Sequence, residues 1–125
     1  MRNASRPVFL DPTQLQMPVG ALTSILHRVS GILLASGVPF GVYLLDRSLR
    51  DEQGFAGVMG LLEHGVVKVL MVALVWALAH HVMAGVRHLL TDFNVGSPLL
   101  AARRSAWLVN LGAVGVALLG AGALL

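Results

Sequence analysis

Residues 69–86 read VLMVALVWALAHHVMAGV, a run without a formal charge that is closed by Lys68 on one side and Arg87 on the other. An apolar run of this length, extended into its flanks, crosses the hydrocarbon layer of a bilayer as a helix. The flanking cations can stretch their aliphatic stems so that their charges reach opposite interfaces. On the N-terminal side, residues 46–63 (DRSLRDEQGFAGVMGLLE) hold four of the chain's six acids and are expected to form a polar connection with room for a short interfacial helix. On the C-terminal side a second polar loop runs through Asp92, Asn94, Gly96 and Pro98 to Arg103 and Arg104.

Two further apolar runs lie beyond these loops. Residues 29–45 (VSGILLASGVPFGVYLL) are slightly short for a span alone, and residues 21–27 (ALTSILH) complete it. Pro39 within this run is expected to bend the helix, because it lacks a backbone donor and crowds the carbonyl one turn earlier. Residues 105–125 carry no charge, and Gly112, Gly115 and Gly120 would let another helix approach closely. The expectation is an all-α membrane protein of one domain, 1–125. Its parts are an N-terminal segment at about 1–22 and spans at about 23–46, 64–90 and 105–125.

Composition agrees with this division. Of the 125 residues 56% are hydrophobic and 12% charged, against roughly 25% charged in a soluble domain. Mean hydropathy is +0.78. The first 28 residues interleave Arg2, Arg6, Asp11 and Arg28 with Pro7, Pro12 and Pro18, which leaves no apolar core for a cleavable leader. They are expected to be retained, and their paucity of basic residues is unlike an organellar transit peptide, which points to a bacterial protein. The net charge of +3 is spread around apolar runs rather than gathered in a stripe, which argues against nucleic acid. Three spans put the N-terminus and the second loop on one side with Arg2, Arg6, Arg28, Arg87, Arg103 and Arg104. Arg47, Arg50 and Lys68 lie on the other. That asymmetry favours a cytoplasmic N-terminus.

The chain has no cysteine, so it offers neither disulfides nor thiolate ligands, and any redox centre it holds must use histidine. An ionisable residue inside a span is a functional candidate by default. His80 and His81 lie about six residues from the Arg87 end of the second span, roughly 9 Å below the interface. Adjacent residues project about 100° apart, so one of the two at most can face a given cofactor. His81 shares a face with Gly85 and His88, and a glycine one turn away clears room for a flat ring. Two readings of His81 stand at this point: an axial ligand to haem iron, or a hydrogen bond to the carbonyl of a neighbouring helix.

Ser24, His27 and Arg28, spaced i, i+3 and i+4, gather a hydroxyl, an imidazole and a guanidinium at headgroup depth. They can hold a haem propionate or a quinone carbonyl, or they can form an interfacial helix start with Arg28 on lipid phosphate. If the first two spans are antiparallel, this cluster and His81 lie at the same membrane face. Arg87, His88 and Asp92 are expected to be a solvated helix end with an i, i+4 pair of His88 and Asp92. Asn110 is expected to bond between helices. No phosphate loop, no nucleophile with a base and no paired carboxylates are present, which excludes an autonomous hydrolase or transferase.

Three stretches carry a resemblance: Arg6-Pro7-x-x-Leu10-Asp11; Pro18 followed by Ser24-Ile25-Leu26-His27-Arg28-x-Ser30-Gly31; and His81-x-x-x-Gly85-x-Arg87-His88-Leu89-x-x-Asp92. In combination, and over nearly the whole chain, they resemble the cytochrome b556 membrane-anchor subunits of bacterial succinate dehydrogenase. The resemblance implies half of a haem-binding anchor bundle in the bacterial cytoplasmic membrane. The implied partners are a second hydrophobic anchor subunit, an iron–sulfur subunit and a flavoprotein subunit that oxidises succinate. It implies haem b as cofactor, with His81 as iron ligand, His27 and Arg28 near the propionates and His88 in the same neighbourhood. It implies Ser24 and Arg28 at a ubiquinone site. The companion anchor, a menaquinone-linked fumarate reductase anchor and a haem-free assembly or transport subunit are the alternatives.

Overall fold

The computed structural model describes residues 18–125, so the expectations that fall on Arg2, Arg6, Pro7, Leu10, Asp11 and Pro12 lie outside the described residues. Four helices follow in order: α1 (Val19–Arg50), α2 (Glu52–Leu62), α3 (Gly65–Asp92) and α4 (Leu99–Leu124). Three of them, α1, α3 and α4, are long and apolar enough to cross a membrane. The protein is an all-α, multi-pass membrane protein, and α2 is the short helix for which the first polar loop left room.

Each boundary has a local cause. The Pro18 carbonyl accepts from Ala21 and Leu22 to start α1. This helix runs through Pro39 and continues past the expected end at residue 46. Arg50 reaches back to Asp46 (Nε to Oδ2, 3.0 Å), a pairing at i, i+4 that supports one further turn. Asp51 is extended and ends α1, and its carboxylate accepts from the Gly54 amide to cap α2. At the C-terminus of α3 the Val95 amide reaches the Leu90 carbonyl (2.8 Å) and the Asn94 amide reaches Thr91 (2.9 Å). Asn94 takes φ +59 there. This is a Schellman closure, with asparagine serving at the left-handed position where glycine is commonest. Pro98 then precedes α4, which therefore starts six residues before the expected 105.

The spans are packed antiparallel in sequence, with α3 between α1 and α4. Along α1 and α3, His27 meets His81 and Gly37 meets Leu74. Along α3 and α4, Met83 meets Gly112 and Val75 meets Gly120. Ala77 and Ala84 of α3, with Ala106, Val109 and Ala113 of α4, form the core, joined by the hydroxyls of Thr23 and Ser30. Small residues at the contact let the backbones approach, which is how helices associate where lipid is as apolar as leucine. The large residues face outward: Phe40, Leu108 and Leu119 are all exposed.

Candidate functional site

Antiparallel packing brings the start of α1, the end of α3 and the start of α4 to one end of the bundle, and the polar side chains concentrate there. The imidazoles of His27 and His81 stack with centroids 4.2 Å apart and planes within 11°. His88 lies tilted beside His27 at 5.4 Å. The two clusters that the sequence placed at one face thus meet. Gly31 is required for the approach of α1, since a Cβ there would stand 3.1 Å from His81 Cε1. Gly85 faces the His27 ring, 3.7 Å from where its own Cβ would be. The flat ring lying against this glycine is therefore an imidazole of the same chain.

The adjacent histidines bond to different helices, and the bonds of His81 fix its tautomer. His81 Nδ1 is 3.2 Å from the His27 carbonyl oxygen and 3.2 Å from Ser30 Oγ. The Ser30 hydroxyl itself donates to that carbonyl at 2.8 Å. A carbonyl only accepts, so His81 carries its proton on Nδ1 and keeps the Nε2 lone pair. His80 Nε2 meets the Asn110 side-chain amide at 3.0 Å. Its Nδ1 is buried and without a partner among the described residues. Both readings of His81 left open above concern one ring: the bond to a neighbouring helix uses Nδ1, and Nε2 is left for something else.

Thr23 and Ser30, seven residues apart on α1 and both fully buried, address the two histidines separately. The Thr23 hydroxyl donates to the Val19 carbonyl (2.9 Å) and lies 3.1 Å from the Asn110 side-chain amide, which also meets His80. Ser30 serves His81. Neither serine nor threonine was singled out from the sequence for a role, although their i, i+7 spacing places them on one face and was the available signal. Asn110 bonds between helices as expected.

The remaining candidates separate. Ser24 is half-buried and Arg28 exposed, while the His27 ring packs against His81 and Gly85 of α3. The expected pairing of His88 with Asp92 is absent among the described ion pairs, and both side chains are exposed. Arg87 is not solvated: it donates from Nε to Ser105 Oγ (3.0 Å) and from Nη2 to the Ala102 carbonyl (3.2 Å). The physical reason is that α4 begins six residues early, which puts two acceptors within reach of a cation that would otherwise seek water. His27 Nε2, like His80 Nδ1, is buried without a partner among the described residues.

The fold and this end of the bundle define a class: a three-span membrane protein with a histidine cluster near one face and flanking hydroxyl and guanidinium donors. Comparison with known proteins narrows the class. Residues 2–121 match the family model described as succinate dehydrogenase/fumarate reductase transmembrane subunit, and the chain belongs to this family. It is 37% identical over 108 residues to the succinate dehydrogenase cytochrome b556 subunit of Coxiella burnetii, covering 86% of each chain. The protein of the same name from Paracoccus denitrificans is 26% identical over 95% of this chain and 92% of its own length. That of Rickettsia conorii is 28% identical over 87% and 85% respectively.

Proposed function

We propose that this chain is a membrane-anchor subunit of a bacterial succinate:quinone oxidoreductase. In this reading it shares haem b with a second hydrophobic anchor subunit and contributes to the ubiquinone-reducing site next to the iron–sulfur subunit. Succinate is oxidised on the flavoprotein subunit. The chain is therefore a non-autonomous part of the enzyme, held as a single anchor domain in the cytoplasmic membrane with its N-terminus in the cytoplasm.

The observation that carries the reading is the tautomer of His81. A metal-ligating histidine almost always donates its other ring N–H to a carbonyl or carboxylate, which orients the ring and raises its basicity. The His27 carbonyl does this for His81, with Ser30 beside it. His81 would hold the iron through Nε2, and His27, Arg28 and His88 would meet the propionates with donors at headgroup depth. Haem supplies a one-electron reservoir there when bound.

For the quinone, Ser24 donates a hydrogen bond to one carbonyl oxygen, and Arg28 stabilises negative charge as it develops on that oxygen. Arg28 is exposed and Ser24 half-buried, and partner subunits would complete a pocket there and exclude water. Low dielectric strengthens both interactions.

The test is a dithionite-reduced minus oxidised spectrum of the purified complex, for wild type and His81→Ala. A b-type band that the substitution removes or shifts is the expected result. A band that survives unchanged sinks the assignment of His81, and a wild type without one removes haem from the reading. Ser24→Ala and Arg28→Ala are each expected to slow quinone reduction by about 10- to 100-fold while leaving succinate oxidation by an artificial acceptor intact.

A further inference from the structure

Resting on the proposed role of His81, we propose that His80, Asn110 and Thr23 form a lock that fixes the rotation of α3 about its own axis. The lock presents His81, and not its neighbour, for ligation. His80 is thus a positioning residue acting through the helix.

The need for a lock follows from the sequence of α3. Between Lys68 and Arg87 the helix is apolar on every side, and its two histidines are its only ionisable side chains. Its fully buried residues besides His80 are alanines, Ala77 and Ala84, which face a core that includes Ala106 and Ala113. Methyl groups grip a rotation weakly, and lipid adds no hydrophobic preference for one face over another. A turn of about 100° would exchange the positions of His80 and His81. Directional bonds add the choice, and besides Arg87 at its end, which reaches α4, α3 carries two sets within the span. His81 reaches α1 alone. His80 reaches Asn110 of α4, which in turn meets the Thr23 hydroxyl of α1, so that this one triad ties all three spans.

The triad is poorly suited to stability as such. His80 Nδ1 and Asn110 Nδ2 remain buried without partners among the described residues, and buried polar groups left unsatisfied are costly. Well-packed apolar side chains can replace such networks without loss of stability. What apolar side chains would not supply is the direction. The same triad occupies His80 Nε2, and Nδ1, on the backbone side of the ring, is enclosed. His80 is thereby removed as a competing ligand.

The chain has no cysteine, which makes a disulfide ruler clean. A Cβ on Gly120 would stand 3.7 Å from Val75 Cβ, and disulfides need about 3.5–4.5 Å between these atoms. The full complex carrying Val75→Cys and Gly120→Cys is oxidised in native membranes with copper phenanthroline, and free thiols on this chain are counted with a maleimide. The pair is expected to close. Adding Asn110→Leu is expected to lower the yield by about three- to tenfold, the range set by loss of interhelical bonds within a membrane. The b-type absorbance per chain should fall in parallel. An unchanged cross-link with Asn110→Leu overturns the lock, and so does a b-type band that survives loss of the cross-link. If the Asn110→Leu chain does not accumulate, Thr23→Val decides: a smaller fall supports the lock and no fall overturns it. A wild type without a b-type band refutes the haem reading alone, because the cross-link yield still judges the rotation.

Discussion

The two ends of this bundle are built on different principles. At the histidine end, polar side chains bond across helices: Thr23 and His80 to Asn110, His81 to α1, and Arg87 to α4. At the α2 end the described polar contacts are local in sequence: Arg50 with Asp46, Arg47 with Tyr43, Gly54 with Asp51, and Lys68 with Glu63. Local pairs shape one helix or one turn, whereas cross-helix bonds fix how helices sit relative to one another. The end for which haem and quinone binding are proposed is the end with the cross-helix bonds.

The sharpest test of this contrast sets one arginine against another. Arg87→Leu removes two bonds from a half-buried guanidinium to α4, and hydrogen bonds to charged groups contribute about 1.5–3 kcal/mol each in favourable cases. We expect a loss of about 2–3 kcal/mol, read as a lower thermal midpoint of the complex in detergent. Arg50→Leu removes an exposed i, i+4 pair with Asp46 and should leave the midpoint nearly unchanged, because solvent screens the pair. Equal shifts would erase the distinction between the ends.

One residue at the α2 end should break the pattern of tolerance. A Cβ on Gly54 would run into the backbone carbonyl oxygen of Arg47, and the Asp51 carboxylate that caps α2 lies beside it. Backbone cannot yield as a flexible side chain does, so Gly54→Ala is expected to cost about 1–3 kcal/mol and to loosen α2 from α1. Proteolysis in the loop around Asp51 would report the loosening. Full tolerance there would mean that the corner between the two helices is not fixed by this contact.

Glycines within the helices sharpen the comparison further, because the same substitution should change sign from end to end. Gly31→Ala sets a methyl group 3.1 Å from His81 Cε1. It is expected to cost about 1 kcal/mol by overpacking and to shift the b-type band. Gly57→Ala in α2 meets nothing within 4 Å and should stabilise by up to about 1 kcal/mol, the difference in helix propensity. Thermal midpoints of the two variants, measured side by side, check the signs.

The spans, the short helix between the first two and the shared membrane face of the Ser24–His27–Arg28 cluster and His81 were legible in the sequence. Apolar run lengths set the first, the acid-rich segment left room for the second, and antiparallel order gave the third. The partners of Arg87, Ser30 and Thr23 were not legible. Such partners depend on how each helix is rotated, and α3 and α4, apolar all round, carry no pattern of hydrophobic residues from which rotation could be read. The Arg87 contact depended besides on where α4 begins, which the Schellman closure at Asn94 decides.

The smallest expected effect is that of Glu63 and Lys68, 2.7 Å apart between α2 and α3. The hydrogen bond from Lys68, and then its charge, hold the Glu63 carboxyl below its ordinary value of 4.5. A carboxylate whose folded pKa is lowered contributes stability above the ordinary value and loses it as pH falls through the folded one. The contribution should therefore be constant at neutral pH and disappear only in acid. Glu63 is largely exposed, with 72% of its side chain open to solvent, so screening leaves little to lose. Glu63→Gln should leave the thermal midpoint at neutral pH unchanged and flatten its decline below pH 4.5 by a barely resolvable amount. A loss comparable to that of Arg87→Leu would show that a local pair at this end positions α3, and the contrast between the two ends would fail.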